Sequence, residues 1–416
     1  MASTLYHDAQ AIIKRIISEN MPQVSVKKAL ENHVFSGNIY LIAIGKAAWT
    51  MAEAACEFLG DRLKSGIVIT KYGHSKGSLP RIEIIEAGHP LSDNNTLRGT
   101  KKAVALAEKL GAGDELLFLV SGGGSALFEL PRDGIELEQI IDLNNQLLAC
   151  GAGIVEINTI RKRLSKVKAG RFAQIASPAS VFSVVLSDVV GDRLDSIASG
   201  PAAPDLSTVE DAQKVIARYN LKLTQLQKTY LLDETPKQTP NVKSVVTGSV
   251  RTLCASASQA AKDLGYTPII LTTSLDCEAR EAGRFLSSIA ADTHKGISSI
   301  QKPAAIIAGG ETIVNLQGKG LGGRNQEVAL SAAKGISGLE DVLIFSLGSD
   351  GTDGPTDAAG GIVDGSTLER LQGKGIDIDQ VLAENDAYHA LEAIGGLICT
   401  GPTGTNVNDV CVALCR

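Results

Sequence analysis

The sequence predicts an α/β protein of two domains. At 416 residues the chain is longer than one hydrophobic core ordinarily organises. Short apolar runs that close on Gly, Ser or Asp and lead into helical patterns recur along it, the layout of strands whose carboxyl ends carry functional loops. A polar stretch with two prolines, Asp233 to Pro240, follows a helical pattern and precedes the strand-like Lys243 to Val246, which is where a domain boundary is expected. The division is therefore placed between residues 1–235 and residues 241–416.

Five apolar runs stand out as strands. Tyr40 to Ile44 leads into Gly45-Lys46, Glu115 to Val120 into Ser121-Gly122-Gly123-Gly124-Ser125, and Val181 to Leu186 into Ser187-Asp188. In the second half, Ala304 to Ala308 leads into Gly309-Gly310-Glu311, and Val342 to Leu347 into Gly348-Ser349-Asp350. In an open α/β sheet, ligands gather at those carboxyl ends.

Bulk composition narrows the function classes. The chain is 44% hydrophobic and 21% charged, with 43 Gly and 13 Pro, a balance that suits packed elements joined by tight loops. A net charge of −6 argues against a nucleic-acid partner, which requires a surplus of Lys and Arg over some face. Seven scattered cysteines read as reduced thiols of a cytoplasmic protein rather than a disulfide frame or a zinc site. The first twenty residues carry Asp8, Lys14, Arg15 and Glu19 in amphipathic spacing, so no secretory signal or membrane partner is expected.

The chemistry is concentrated in loops. Consecutive glycines in Ser121 to Ser125, after a buried strand, let backbone N–H groups close around an anion such as phosphate; a ligand-free tight turn is the structural alternative. The Walker pattern is absent. Lys46 precedes a helical pattern and would stand near a helix N-terminus, a place that favours anions, unless it is a plain surface lysine. Asp188 and Asp192 occupy one loop and Asp350, Asp353 and Asp357 another. Carboxylates on such loops suit Mg²⁺ or general-base work, and equally suit Asx-turns and helix caps.

Arg324 opens a helical pattern directly after Gly318-Lys319-Gly320-Leu321-Gly322-Gly323. A guanidinium there can hold a carboxylate or phosphoryl group by two parallel hydrogen bonds; the alternative is an ion pair to a nearby Glu. That glycine segment also matches G-x-G-x-x-G, which raises a nicotinamide-dependent reductase, but the preceding Thr312 to Leu316 lacks the character of a buried strand. Asn158 and Lys162 lie four apart on one helical face and are candidates to meet the nucleotide or the acid substrate, while the basic run Arg161 to Lys168 around them has the look of a solvated helix face. His74 and His89 lack metal-ligand spacing and read as surface or packing residues. Thr400 to Asp409, which includes Asn406 and Asn408, reads as a substrate-binding loop or a long hairpin connection.

Taken in order, Ala43-Ile44-Gly45-Lys46-Ala47-Ala48, Glu86-Ala87-Gly88-His89-Pro90, Ser121 to Ser125, Leu186 to Asp192 and Ser199-Gly200-Pro201 resemble the N-terminal half of the glycerate 2-kinase family. Gly309 to Thr312, Gly322 to Glu327, Asp350 to Ala358 and Gly401 to Asp409 resemble its C-terminal MOFRL domain. The resemblance spans nearly the whole chain. It implies a Rossmann-like α/β/α N-terminal domain, a smaller α/β MOFRL domain and an active site in the cleft between them. It also implies transfer of phosphoryl from ATP, with Mg²⁺, to the 2-hydroxyl of D-glycerate. By motif position Lys46 and Arg324 are its key basic residues. On this reading Asp188 joins them in catalysis. Ser121, Gly122, Gly123, Gly124, Ser125, Asn158, Lys162, Asn406 and Asn408 meet the nucleotide or substrate, and Asp192, Asp350 and Asp353 hold the metal. The expected partners are glycerate and ATP, with a homodimer left open. Members of the family also carry the name hydroxypyruvate reductase, which is the alternative activity.

Overall fold

The computed structural model describes residues 4–416, and these divide into two compact units. The first unit spans residues 25–247 and is built on a six-stranded sheet. Its strands are β1 (Asn38–Ile44), β2 (Leu63–Lys71), β3 (Ile82–Ala87), β4 (Asp114–Val120), β5 (Ser180–Leu186) and β6 (Val242–Gly248), in the order β3-β2-β1-β4-β5-β6. The pairs β1–β2, β1–β4, β2–β3 and β4–β5 are all parallel. Parallel sheets need cover on both faces, which is why β1, β4 and β5 are nearly continuous buried apolar runs. Ile42, Ile44, Phe118, Val120, Val181 and Val185 join one core with Phe128 and Phe172.

Strand order reverses between β1 and β4. Chain leaving β1 turns to one side and chain leaving β4 to the other, so a crevice opens at their carboxyl ends. Gly45-Lys46 leaves β1 there and the Ser121 to Ser125 loop leaves β4. Helices Leu137–Ala149, Ile154–Leu164, Val209–Tyr219 and Gln225–Leu231 form a separate packed group around Leu143, Leu147, Ile160, Leu164, Ala212 and Leu231. The basic run in this region is not the solvated face that its charge suggested. Lys162, Arg163 and Lys168 are all buried, because each has carbonyl or carboxylate partners that replace water.

The second unit comprises residues 4–24 and 248–416. Its strands are β7 (Thr267–Leu275), β8 (Ala304–Gly310), β9 (Val342–Gly348), β10 (Gly360–Asp364), β11 (Leu397–Ile398) and β12 (Asp409–Cys415). They are ordered β11-β10-β9-β12-β8-β7. Only β7–β8 pairs in parallel; β12 runs antiparallel between β8 and β9. Asp409, the first residue of β12, is therefore in register with both Gly310 and Gly348, the last residues of β8 and β9. Two outgoing loops and one incoming loop meet at that end of the sheet. The Thr400 to Asp409 segment is consequently no hairpin: it links β11 at the sheet edge to β12 at its centre.

The expected division at residues 235 to 241 is corrected at both ends. Strand β6 lies beyond that stretch yet completes the first sheet, and the helix Thr4–Glu19 packs on the helix Val250–Asp263 in the second unit. Asn20 Nδ2 donates to Ser256 Oγ at 3.1 Å. Asp8 Oδ2 accepts from Tyr266 Oη at 2.6 Å and from Arg416 Nη2 at 2.7 Å, joining the two ends of the chain. Burial and the Asp8 hydrogen bond push the Tyr266 phenol up to about 12. Among the described residues no helix is long and apolar enough to cross a membrane.

Removing the shared acceptor leaves the O–H of a buried phenol without its acceptor and takes the carboxylate partner from the Arg416 guanidinium. Asp8→Ala should lower stability by about 2 kcal/mol, read as a shift in the urea midpoint of the second unit. An unchanged midpoint would show that this contact carries no stability.

Candidate active-site residues

In the first unit the glycine loop is shaped by what stands where its side chains would be. A Cβ on Gly122 would lie 2.3 Å from Asp188 Oδ2. One on Gly123 would lie 2.9 Å from His89 Cδ2, 3.0 Å from His89 Nε2 and 3.2 Å from Lys46 Cγ, and Gly123 has φ +83°. One on Gly124 would lie 2.7 Å from the Ala198 methyl. Three consecutive glycines thus admit an acid, an imidazole with a lysine stem, and a tight backbone turn against one short loop. Asp188 comes from the end of β5, Lys46 from the end of β1 and His89 from the turn after β3. The parallel sheet places all three strand ends on the same side.

The two serines flanking the glycines serve the fold. Ser121 Oγ accepts from the Ala47 N–H at 3.1 Å and donates to the Ile44 carbonyl at 3.1 Å, while the Lys46 N–H donates to the Gly122 carbonyl at 2.8 Å. These bonds lock the β1 turn to the β4 turn. Ser125 Oγ is 2.9 Å from Ser199 Oγ, which donates to Asn158 Oδ1 at 3.0 Å. Ala198 and Ser199 both hold left-handed φ values, a conformation costly for residues with a side chain, beside the loop they support. Lys168 donates to the Ser125 carbonyl at 2.9 Å and the Phe128 carbonyl at 3.0 Å. Its burial, offset in part by Glu129, brings its pKa down to about 8.

Sequence reasoning passed over His89. Burial and then the charges of Lys46, Lys71 and His74 hold its pKa below the ordinary histidine value. The only signal for it was the motif Glu86 to Pro90, because histidine spacing says nothing about a neighbour on another strand. Asp192 takes a left-handed φ of 55° in the turn after Asp188. Asn158 and Lys162 do share a helix face and line a cavity of about 480 Å³. The Lys162 ammonium, however, is committed to Asp195 and Asp205, each at 3.2 Å.

In the second unit Arg324 stands at the start of the helix Arg324–Gly335. Its Nε donates to Asp409 Oδ2 at 2.6 Å, its Nη2 to Asp409 Oδ1 at 3.2 Å and its Nη1 to Glu311 Oε1 at 2.8 Å. The ion pair to a nearby Glu that stood as the alternative is therefore present, with Asp409 as a second partner. Three of its five N–H groups are in use, and two remain on a side chain 33% exposed. The partners differ: Asp409 is 7% exposed and Glu311 44%. Burial opposes the guanidinium charge, but the bonds and charge of Asp409, with Glu311 and Asp353, raise the Arg324 pKa. Burial also pushes the Asp409 carboxyl up to about 6 despite that partner.

Asp353, expected as a metal ligand, instead closes the helix N-terminus. It accepts from the Asn325 N–H at 3.1 Å and the Gln326 N–H at 2.8 Å, which satisfies orphan helix donors. Burial raises its pKa against those bonds. Gly323 has no side chain because Asp353 Cγ lies 2.3 Å from where its Cβ would be. Asp350 accepts from the Thr352 N–H at 3.1 Å and lines a cavity of about 800 Å³. That cavity presents five carboxylates, of Asp276, Glu311, Glu327, Asp350 and Asp353, against the single cation of Arg324. Asn408 Nδ2 donates to Glu311 Oε2 at 3.2 Å, and Asn406 is half-buried in the same incoming loop. The G-x-G-x-x-G match is a packing feature. No strand feeds it, and Cβ atoms on Gly318 and Gly320 would lie 2.3 Å and 2.4 Å from Glu384 and Asp386.

Asp409 sets a testable sign. Its folded pKa of about 6 lies above the roughly 3.9 of an unfolded aspartate, so between those values the folded chain holds a proton the unfolded chain has released. Stability from this group therefore falls as pH rises through that window. Relative to wild type, Asp409→Asn should gain on the order of 3 kcal/mol between about pH 4 and pH 7, measured by urea unfolding at both values. A difference that moves in the opposite direction would reject this account of Asp409.

Comparison with known proteins covers both units. The model described as "Domain of unknown function (DUF4147)" matches residues 8–231 and that of the "MOFRL family" matches residues 304–409. A D-glycerate 2-kinase of Thermotoga maritima is 52% identical over 403 residues, covering 97% of this chain and 96% of that protein. A glycerate 2-kinase of Pyrococcus horikoshii is 44% identical, covering 91% of this chain and 87% of that one. A protein of Agrobacterium vitis provisionally named hydroxypyruvate reductase is 38% identical, with 97% and 93% covered. The crystal structure of a Thermotoga maritima glycerate kinase superposes with a TM-score of 0.96 at 51% identity, covering 99% of this chain and all of that one. With matches of this extent across both units, the chain belongs to the MOFRL glycerate 2-kinase family.

Proposed function

We propose that the chain transfers the terminal phosphoryl group of ATP to the 2-hydroxyl of D-glycerate, giving 2-phosphoglycerate and ADP. The observation that carries this reading is the loop after β4, where three glycines bring Asp188, His89 and Lys46 against one stretch of backbone at the reversal of strand order. Glycine lets backbone N–H groups approach a phosphate closely, and the Lys46 ammonium supplies positive charge where charge builds on the transferring group. Phosphoryl transfer relies on such positioning and electrostatics more than on covalent chemistry.

Magnesium fits this arrangement on the chemistry of its donors. Mg²⁺ is commonly held by one or two carboxylates together with waters and substrate phosphates, and the Asp188 carboxylate stands against the glycine loop at Gly122. Asp188 and Asp192 would hold it, and when bound it would draw charge off the phosphate oxygens. The acid-lined cavity of the second unit favours an anion that arrives with its cation, and Arg324 offers its two remaining N–H groups there to a carboxylate or phosphate oxygen.

The reductase reading loses its support at Gly318 to Gly323, whose glycines make room for neighbouring backbone rather than for a dinucleotide. A coupled assay with glycerate, ATP and Mg²⁺, run beside NAD(P)H oxidation with hydroxypyruvate, decides between the two. ADP formation that requires both glycerate and Mg²⁺ is the expected result; hydroxypyruvate-dependent NAD(P)H oxidation without it would reject the kinase.

Two substitutions follow. Lys46→Ala should fold normally and lose about 10³-fold in kcat. Gly122→Ala pushes the Asp188 carboxylate from its place and should cost at least about 10²-fold in kcat with little change in thermal midpoint. Full turnover in either variant would remove that residue from the site.

A further inference from the structure

His89 is the group at the glycine loop that the fold does not consume. His33 Nε2 is bonded to Glu115 at 2.6 Å, His74 Nδ1 to the Lys46 carbonyl at 3.0 Å and His389 Nδ1 to Asp386 at 2.7 Å. His89 is tied to no described residue by a hydrogen bond or ion pair. Its ring edge instead abuts Gly123, the same glycine that the Lys46 stem abuts, in a half-buried position. A side chain on Gly123 would occupy the space that brings imidazole and lysine together at one point of the loop.

The charged groups around the imidazole are Lys46 at the end of β1, Lys71 at the end of β2 and His74 in the turn that follows, with Asp188 against the adjacent Gly122. Three cationic or potentially cationic neighbours and partial burial disfavour imidazolium, so the ring rests neutral with a nitrogen lone pair available. A neutral imidazole next to an anion loop suits removal of a proton from a hydroxyl; a charged one would not accept it.

We infer that His89 is the general base that takes the proton of the glycerate 2-hydroxyl. The inference rests on the phosphoryl-transfer reading above. As the hydroxyl oxygen bonds to the γ-phosphorus, its O–H bond breaks and the proton passes to a nitrogen of His89. The bond from that phosphorus to the β,γ-bridging oxygen breaks with its electron pair leaving on ADP, and the imidazolium then returns its proton to water. Asp188 is thereby left to the metal.

The test uses the full-length protein, with His89→Asn and His89→Gln as alternative variants so that a folding failure in one leaves the other. In whichever folds, kcat should fall about 10²- to 10³-fold, with KM for ATP within about threefold of wild type and an unchanged thermal midpoint. Added imidazole should restore at least about tenfold of the lost rate, in proportion to its free-base concentration. A kcat within about fivefold of wild type, or a loss that imidazole does not relieve, overturns the role. Wild-type protein that forms no glycerate-dependent ADP would instead overturn the underlying phosphoryl-transfer reading, a result visible before any variant is made.

Discussion

Three absent side chains in succession control the first unit. Gly122, Gly123 and Gly124 allow Asp188, His89 with Lys46, and Ala198 to press on the backbone that follows β4. A Cβ on any one of the three would stand under 3 Å from a neighbouring atom, so that neighbour would have to leave its place. The turn after β1 is bound to the same loop through Ser121 and the Lys46 amide. The position of Lys46 is therefore set by hydrogen bonds between two strand ends, not by the flexible lysine chain alone.

Support for this loop comes from a charge that has left water: Lys168 is fully buried and holds the carbonyls of Ser125 and Phe128. Burying such cations is costly unless each donor is satisfied. The cost is met with backbone carbonyls, which cannot move away, so what the unit gains is a fixed loop rather than net stability. The left-handed Ala198 and Ser199 are further local strain placed against the same loop.

In the second unit the governing constraint is the register of β12. Because Asp409 faces Gly310 and Gly348 at once, its carboxylate is delivered to the helix that Arg324 begins. The bidentate pair aims the guanidinium, and burial makes the ionised carboxylate unfavourable enough to raise its pKa to about 6. The carboxylate thus lowers stability while it fixes the direction of the Arg324 guanidinium. Asp353, by contrast, is spent on helix geometry, accepting from the first N–H groups of the helix that Arg324 begins.

By itself the sequence determined the strands β1, β4, β5, β8 and β9 and the loops that follow them, Gly45-Lys46 and Ser121 to Ser125 among them. Apolar runs and glycine clusters act over a few residues, so their consequences are readable locally. Only the tertiary structure decided who meets whom. Arg324 and Asp409 are 85 positions apart, Asp8 and Arg416 are 408 apart, and His89 reaches Gly123 from another strand. No periodicity encodes such pairings, because they arise from strand order and register. The same gap hid the burial of Lys162 and Lys168 and the true membership of the first helix: a charged or amphipathic segment shows which face is polar, while the fold alone selects the surface that covers it.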